Sequence, residues 1–354
     1  MYLKIFIFQL ICIYLLTGCE FRAKSNNVEN DYKEYRLKHK QHCEIFLAQP
    51  QIAVSDSFLI LVSHKESNGI CQLYSIEKNM EKVCTYGRIG NGPYEFLQPE
   101  LTYASGNSFG LNDVNLTTLA IMQIEQKDDS VSIKEVKRMK AHQMKREKLW
   151  VKDVGFVKIG DDCYVSRLSW EDGCFFNLLD SLLQPIMCFG ESPVKEELPG
   201  LVSMSRLTGK SAVYGGTYFY ASTKLPYLAS YKLQDDKMVK DWSLFYRKPH
   251  YGVSNGDLKF SKENSTGPLL DIRVDSDNVY LLYLDQLLSE YDYTRTDKSL
   301  SDKIFVFNHK GEKKAILHLD CRLSQIAIDS KRKKIYGISE NPDISLVEFD
   351  LPEF

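Results

Sequence analysis

A strand–turn–strand pattern recurs six times along this 354-residue chain, which predicts an all-β fold. The repeats start at residues 52, 101, 156, 211, 272 and 326, so their period runs from 49 to 61 residues. Each opens on a short apolar strand, turns, and continues into a strand rich in tyrosine or β-branched residues. The 21 tyrosines and 18 phenylalanines, against 11 prolines, suit such strands. Four short strands at a period of about 40–60 residues is the signature of propeller blades. The expected architecture is therefore a six-bladed β-propeller.

The N-terminus reads as an address. Lys4 is followed by an apolar run from Ile5 to Leu16, too short to span a bilayer and right for the core of a signal peptide. The run ends in Leu16-Thr17-Gly18-Cys19, which resembles the lipobox of bacterial lipoproteins. That resemblance implies cleavage before Cys19 and acylation (palmitate among the chains) of its thiol. Several acyl chains on one residue anchor stably, where one alone is marginal. Residues 1–18 are thus expected to be a lipoprotein signal peptide, and the polar stretch 19–40 a tether.

Residues 41–354 hold the repeats. The first pairs of strands are 52–54 with 58–62, 101–104 with 108–111, 156–159 with 163–165, 211–214 with 218–220, 272–274 with 279–282, and 326–328 with 335–338. A second hairpin follows in each, clearest where 304–308 turns through His309-Lys310-Gly311 to 315–317. The sixth repeat stops one strand short of a blade. The strand-like segment 42–48 has no repeat of its own, so it is expected to complete the last blade and close the ring.

One connection is distinctive. Gly87-Arg88-Ile89-Gly90-Asn91-Gly92-Pro93-Tyr94-Glu95-Phe96, followed by Pro99, resembles the G-x-x-G-x-G-P-x-E-F link of the TolB-like six-bladed β-propeller lipoproteins of Bacteroidetes, relatives of the NHL-repeat propellers. The resemblance extends over the chain from about residue 41. It implies the fold and a cell-envelope location but names no reaction. In the loop itself, glycines permit a positive φ at the handover and Glu95 caps local amides. The other reading is a glycine-rich turn that offers amides to an anion.

Further candidates are weaker. Metal-dependent lactonases on six-bladed propellers hold a cation over the channel with oxygen ligands. Glu95, Asp113 and Asn115, with Asn112, Asp153, Asp271 and Asp285, are the oxygen donors here, and calcium is the cation such donors would take. They are equally favoured turn residues. Lys134 to Lys148 is a basic run that would draw anionic lipid or glycan, or is a solvated outer strand. Tyr214, Tyr218, Tyr220, Tyr227 and Tyr231 would stack on sugars, or pack between blades. Two insertions, 246–268 with Tyr246, Arg247 and His250, and 285–302 with Tyr291, Tyr293 and Arg295, form the preferred binding surface.

No HExxH motif or Gly-x-Ser-x-Gly elbow points to catalysis. A net charge of -2 gives no reason to expect nucleic acid as a partner. Of nine cysteines, Cys12 and Cys19 fall in the leader and lipobox; Cys71 and Cys84 flank one turn as a disulfide or as two buried thiols. The expected protein is an outer-membrane lipoprotein, facing periplasm or surface, whose monomeric propeller binds an envelope protein or glycan without a cofactor. The alternative is a divalent-cation-dependent hydrolase or lyase.

Overall fold

The computed structural model describes residues 32–354, apart from 46, 66–67, 129, 142, 147–148, 153, 168–173, 197, 200–205, 291–299 and 341–342. Cys19 and the leader lie outside the described residues, in a separate unit ending at Asp31. The second unit is built of strands.

Two strands come first, β1 (Lys33–Leu37) and β2 (Lys40–Glu44). Four-stranded antiparallel sheets follow: β3 (Gln51–Val54), β4 (Phe58–Val62), β5 (Asn68–Ser75) and β6 (Glu81–Arg88); then β7 (Pro99–Ser105), β8 (Ser108–Asp113), β9 (Thr118–Lys127) and β10 (Ser130–Lys140). A hairpin, β11 (Gln143–Arg146) with β12 (Leu149–Lys152), precedes the sheet of β13 (Val154–Lys158), β14 (Tyr164–Arg167), β15 (Phe176–Leu179) and β16 (Pro185–Phe189). The next sheet is β17 (Gly209–Tyr214), β18 (Thr217–Ser222), β19 (Tyr227–Gln234) and β20 (Lys237–Phe245), followed by the hairpin β21 (Tyr251–Ser254) and β22 (Asp257–Phe260). The chain ends with β23 (Leu269–Val274), β24 (Asn278–Tyr283), β25 (Ser301–Asn308), β26 (Lys313–Asp329), β27 (Lys334–Glu340) and β28 (Ile344–Asp350).

Each expected repeat start falls inside a strand: β3, β7, β13, β17, β23 and the second half of β26. The last two repeats, however, are not separated. β26 is one strand of 17 residues that pairs with β25 in its first part and with β27 from Leu323 onward. Residues 318–325 contain no glycine or proline to break it. The result is a single sheet in the order β2-β28-β27-β26-β25-β24-β23.

The N-terminal strands dock on that sheet. β2 pairs antiparallel with β28, Lys40 opposite Glu348 and Glu44 opposite Ser345. β1 pairs parallel with β26, from Lys33 opposite Ala315 to Leu37 opposite Leu319. Residues 33–37 belong to the stretch read from the sequence as tether, but they alternate. Tyr35 and Leu37 turn onto the apolar layer around Leu317 and Phe349, while Lys33, Glu34 and Arg36 stay outside.

Apolar side chains from facing sheets interleave to make the core. Phe58, Ile60 and Val62 of β4 meet Phe109 and Leu111 of β8, and Val165 and Leu178 meet Tyr218, Tyr220 and Tyr231. Phe219 and Leu228 meet Leu281 and Phe305. Ile52, Leu59 and Leu61 meet Tyr336, Ile338 and Leu346, with Ile45 and Leu47 filling the same layer. The first strands touch in succession, β3 with β7, β7 with β13, β13 with β17, β17 with β23, β23 with β26, and β26 with β3.

Three histidine–carboxylate pairs tie the N-terminal strands to the end of the chain. His42 meets Glu348 at 2.8 Å, His39 meets Asp320 at 2.8 Å, and His318 meets Glu34 at 3.2 Å. Burial alone would raise the Glu348 carboxyl, but hydrogen bonds from Lys334 and His42 outweigh it and hold it below the usual glutamate range. A carboxyl depressed in the fold contributes stability above its unfolded pKa and loses it as pH falls through the folded one. The thermal midpoint will therefore fall less steeply in Glu348→Gln than in the parent between about pH 5 and pH 3. Parallel midpoint curves would remove Glu348 from the acid response.

Candidate functional site: a funnel on the first strands

The first strands surround a cavity of about 800 Å³. Val54, Ala104, Ile159, Tyr214, Val274 and Ile328 contribute to its wall, each from a different repeat. At the opposite end of the same strands lies a pocket of about 60 Å³ lined by Gln51, Glu100, Arg167, Lys210, Asp271 and Arg273, among others. Leu101, Thr102, Val157, Ser211 and Arg273 line both spaces, so the cavity is a funnel that narrows onto a charged floor.

The floor is also where neighbouring first strands are fastened. The Arg273 guanidinium donates to the carbonyls of Ile326 at 2.8 Å, Ile52 at 3.0 Å and Ile272 at 3.1 Å. Its Nη2 also lies 3.0 Å from the Asp271 carboxylate. Asp271 accepts from the backbone amides of Ile272 at 2.9 Å and Ile326 at 3.1 Å. Burial pushes the Asp271 carboxyl up, and Arg273 and Lys210 pull against that rise. Gln51 accepts from the Leu101 amide at 2.5 Å, joining β3 to β7. Arg167 donates from Nη1 to the Gly209 carbonyl at 2.5 Å and lies 3.9 Å from Glu100. Gly155, at φ +65°, leaves the space that the Arg167 guanidinium fills; a Cβ there would collide with it.

Two cationic nitrogens on this floor, Arg167 Nε and Lys210 Nζ, lack acceptors among the described residues. Arg167 Nε is buried without a hydrogen-bond partner. Among the described residues Lys210 makes no hydrogen bond or ion pair, and burial drives its ammonium pKa down, with Asp271 opposing.

Asp271 is the one floor residue that the sequence reading singled out. Glu100, Arg167, Lys210 and Arg273 were missed. The signal was present in register: Glu100, Lys210 and Asp271 each stand immediately before a repeat start.

The glycine-rich loop is locally self-satisfied. Glu95 accepts from the Gly92 amide at 2.7 Å and pairs with Arg88 at 2.5 Å. The Gly92 amide, and then Arg88, hold its carboxyl below the usual range against the opposing effect of desolvation. Gly90 donates to the Phe96 carbonyl at 3.0 Å, and a Cβ on Gly90 would enter the Glu95 carboxylate. Gly87 takes φ +77°, and Pro93 stands in the exposed turn beyond Gly92. Phe96 is buried beneath the Arg138 guanidinium, 4.4 Å from its ring centroid. Asp113, buried, accepts from the amides of Leu97 at 2.6 Å, Leu116 at 2.9 Å and Asn115 at 3.0 Å, and so anchors the loop to the β8–β9 turn. Asn115 is exposed and takes part through its backbone.

The other expected residues are dispersed. Tyr246 packs its ring 5.4 Å from Tyr283 and 6.0 Å from Phe307, with its hydroxyl buried. Arg247 pairs with Asp285 at 2.6 Å, and Lys303 holds the same carboxylate at 3.0 Å. The His250 carbonyl accepts from Ser261 and Ser265, closing the β21–β22 hairpin. Tyr218, Tyr220, Tyr227 and Tyr231 are buried in the core, and Tyr214 is exposed on the funnel. In the basic run, Arg138 pairs with Glu135 at 2.7 Å and Lys137 donates to the Ser181 carbonyl at 3.0 Å. Asp153, Tyr291, Tyr293 and Arg295 lie outside the described residues.

Cys71 and Cys84 are both thiols, because the β5–β6 register sets Cys71 opposite Tyr86 and Cys84 opposite Leu73. The disulfide joins Cys174 to Cys188, Cα atoms 5.7 Å apart. Among the described residues, His39, Asp320 and Cys321 bring three metal-binding types together, their ligand atoms within 4.8 Å of one another. Nitrogen, oxygen and sulfur donors of that kind suit a zinc-like cation better than calcium.

No protein-family model and no curated protein sequence matches the chain. Solved structures do. A member of the DUF4221 family from Bacteroides vulgatus ATCC 8482 is 11% identical with a TM-score of 0.52, covering 89% of this chain and 95% of that one. The RRP9 WD40 repeats are 9% identical with a TM-score of 0.47, covering 89% and 97%. The Myceliophteria thermophila Cps50 (Swd1) β-propeller domain is 8% identical with a TM-score of 0.45, covering 85% and 83%. Four-stranded antiparallel sheets whose first strands touch in succession are the arrangement of a β-propeller. At these identities the likeness is one of fold alone.

Proposed function

We propose that this chain is a lipid-anchored protein of the outer membrane whose β-propeller binds a ligand in the funnel. The propeller has six blades, the last shared with the N-terminal strands, and the ring of first strands closes from β26 onto β3. Support comes from the order of contacts between first strands and from the bonds of Arg273 to Ile272, Ile326 and Ile52. The lipobox supports the anchor, and the Gly87 to Pro99 loop supports kinship with TolB-like, NHL-related propellers of Bacteroidetes.

The observation that carries binding is the funnel itself. A cavity of about 800 Å³, within the size range of small-molecule sites, converges from all the first strands on a few polar groups. The competing reading, a cation-dependent hydrolase or lyase, needs several oxygen ligands converging there. The floor instead presents three cationic side chains and two carboxylates, each carboxylate facing a guanidinium.

The test is the thermal midpoint of the purified full chain with envelope extracts, a glycan panel, calcium and EDTA. A ligand at a hundred times its Kd adds about 2.7 kcal/mol to the folded state. Ala53 lines the funnel, so Ala53→Phe sets an aromatic ring into it. A rise seen in the parent and absent in Ala53→Phe is the expected result. A calcium-induced rise reversed by EDTA, or a ligand response that survives Ala53→Phe, would overturn the proposal.

A further inference from the structure

The floor of the funnel carries an unmet demand for an acceptor. Arg273 is saturated by three carbonyls and Asp271, and Asp271 by two amides and Arg273. Gln51 is engaged by the Leu101 amide. What is left over is donor-only: the Lys210 ammonium, which has no partner among the described residues, and Arg167 Nε, buried and unbonded. Arg167, Lys210 and Arg273 stand against Glu100 and Asp271, so the floor has one positive charge in excess. Buried donors without acceptors are unfavourable, and a charged acceptor relieves them best.

We infer that the floor is a carboxylate-binding site, in which Lys210 and Arg167 receive the head of a small organic acid whose apolar body rests on the funnel wall. This deepens the reading of the funnel as the ligand site and rests on it. Size and charge select the head group. A pocket of about 60 Å³ takes a carboxylate or a few waters. One negative charge cancels the excess, which a phosphate dianion would overshoot. Two donors arriving on different strands, β14 and β17, match the two oxygens of a carboxylate. The wall selects the body: Ala53, Val54, Ala104, Ile159, Val213 and Val274 lie above the floor. Apolar area buried there adds affinity that a bare anion lacks.

The test is calorimetric titration of the full chain in lipid nanodiscs with hexanoate, hexanol and inorganic phosphate. Hexanoate will bind at least about tenfold tighter than hexanol, as a charge-assisted hydrogen bond implies. Lys210→Met will abolish that preference, Lys210→Arg will retain it, and Ala53→Phe will remove both ligands. Equal affinity for hexanoate and hexanol, or a preference that survives in Lys210→Met, overturns the carboxylate site while the funnel stands as a binding cavity. Phosphate binding tighter than hexanoate overturns the choice of head group. Absence of binding by all three probes overturns the inference; the ligand screen against Ala53→Phe then decides separately whether the funnel reading falls with it.

Discussion

Arg273→Ala will destabilise the fold by about 3–5 kcal/mol, the loss measured when one member of a buried charge pair is removed. The arginine side chain is 28% exposed on the channel and its partner Asp271 only 3%, so the damage concentrates on the carboxylate. Without the guanidinium, Asp271 keeps two amide donors and loses its facing charge. The carbonyls of Ile52, Ile272 and Ile326 lose their donor together, and these lie on β3, β23 and β26. Urea unfolding at neutral pH reads the effect directly. Arg273→Lys keeps the charge but not the fork that reaches three carbonyls, and should fall between parent and alanine variant. Adding Asp271→Asn to Arg273→Ala should recover part of the loss, since it removes the stranded charge. An alanine variant within about 1 kcal/mol of the parent would show that the fastening is redundant.

Deleting residues 32–47 will be more damaging still. The deletion removes β1 and β2 and with them Ile45 and Leu47, both buried in the layer with Leu61, Ile338 and Leu346. Burying each of those side chains contributes about 1.5–3 kcal/mol. The β2–β28 ladder adds about 1 kcal/mol for each hydrogen bond. Together these exceed about 5 kcal/mol, comparable with the whole stability of many domains. The deletion also uncovers the edge of β28, where Leu346, Val347 and Phe349 are otherwise buried. The expected result is a chain that forms concentration-dependent oligomers and melts without a sharp transition, read by light scattering beside circular dichroism. A monomeric product with a midpoint within about 2 °C of the parent would show that the N-terminal strands are accessory.

The blade pattern was legible because period-2 apolar runs and turn residues are local signals. Ile52, Leu101, Phe156, Ser211, Ile272 and Ile326 all fall in strands where the repeat put them. β1 was illegible in isolation, since Lys33-Glu34-Tyr35-Arg36-Leu37 has only two apolar positions and finds its partner in β26. The unbroken β26 was also hidden, because a repeat search presumes a break between modules. In the site, Asp271 was visible as a carboxylate, but its saturation by Arg273 depends on strands far apart in sequence. Glu95 and Asp113 were visible as oxygen donors near a glycine-rich turn. Their engagement by nearby amides is the ordinary behaviour of carboxylates at turns, and sequence spacing cannot separate it from metal binding. Lys210 and Arg167 were missed because each is the single cation of its strand, and only the shared floor gives them a common meaning.

The pairing of β2 with β28 also sets a timetable. His42 and Glu348 are 306 residues apart, so the partner of β2 is made long after β2 itself. Until then β2 has nothing to pair with, and the layer that Ile45 and Leu47 fill stays wet. Contacts of such long sequence separation form slowly and leave sticky edges open meanwhile. The chain is thus most vulnerable to its neighbours during the interval between the first repeat and the last.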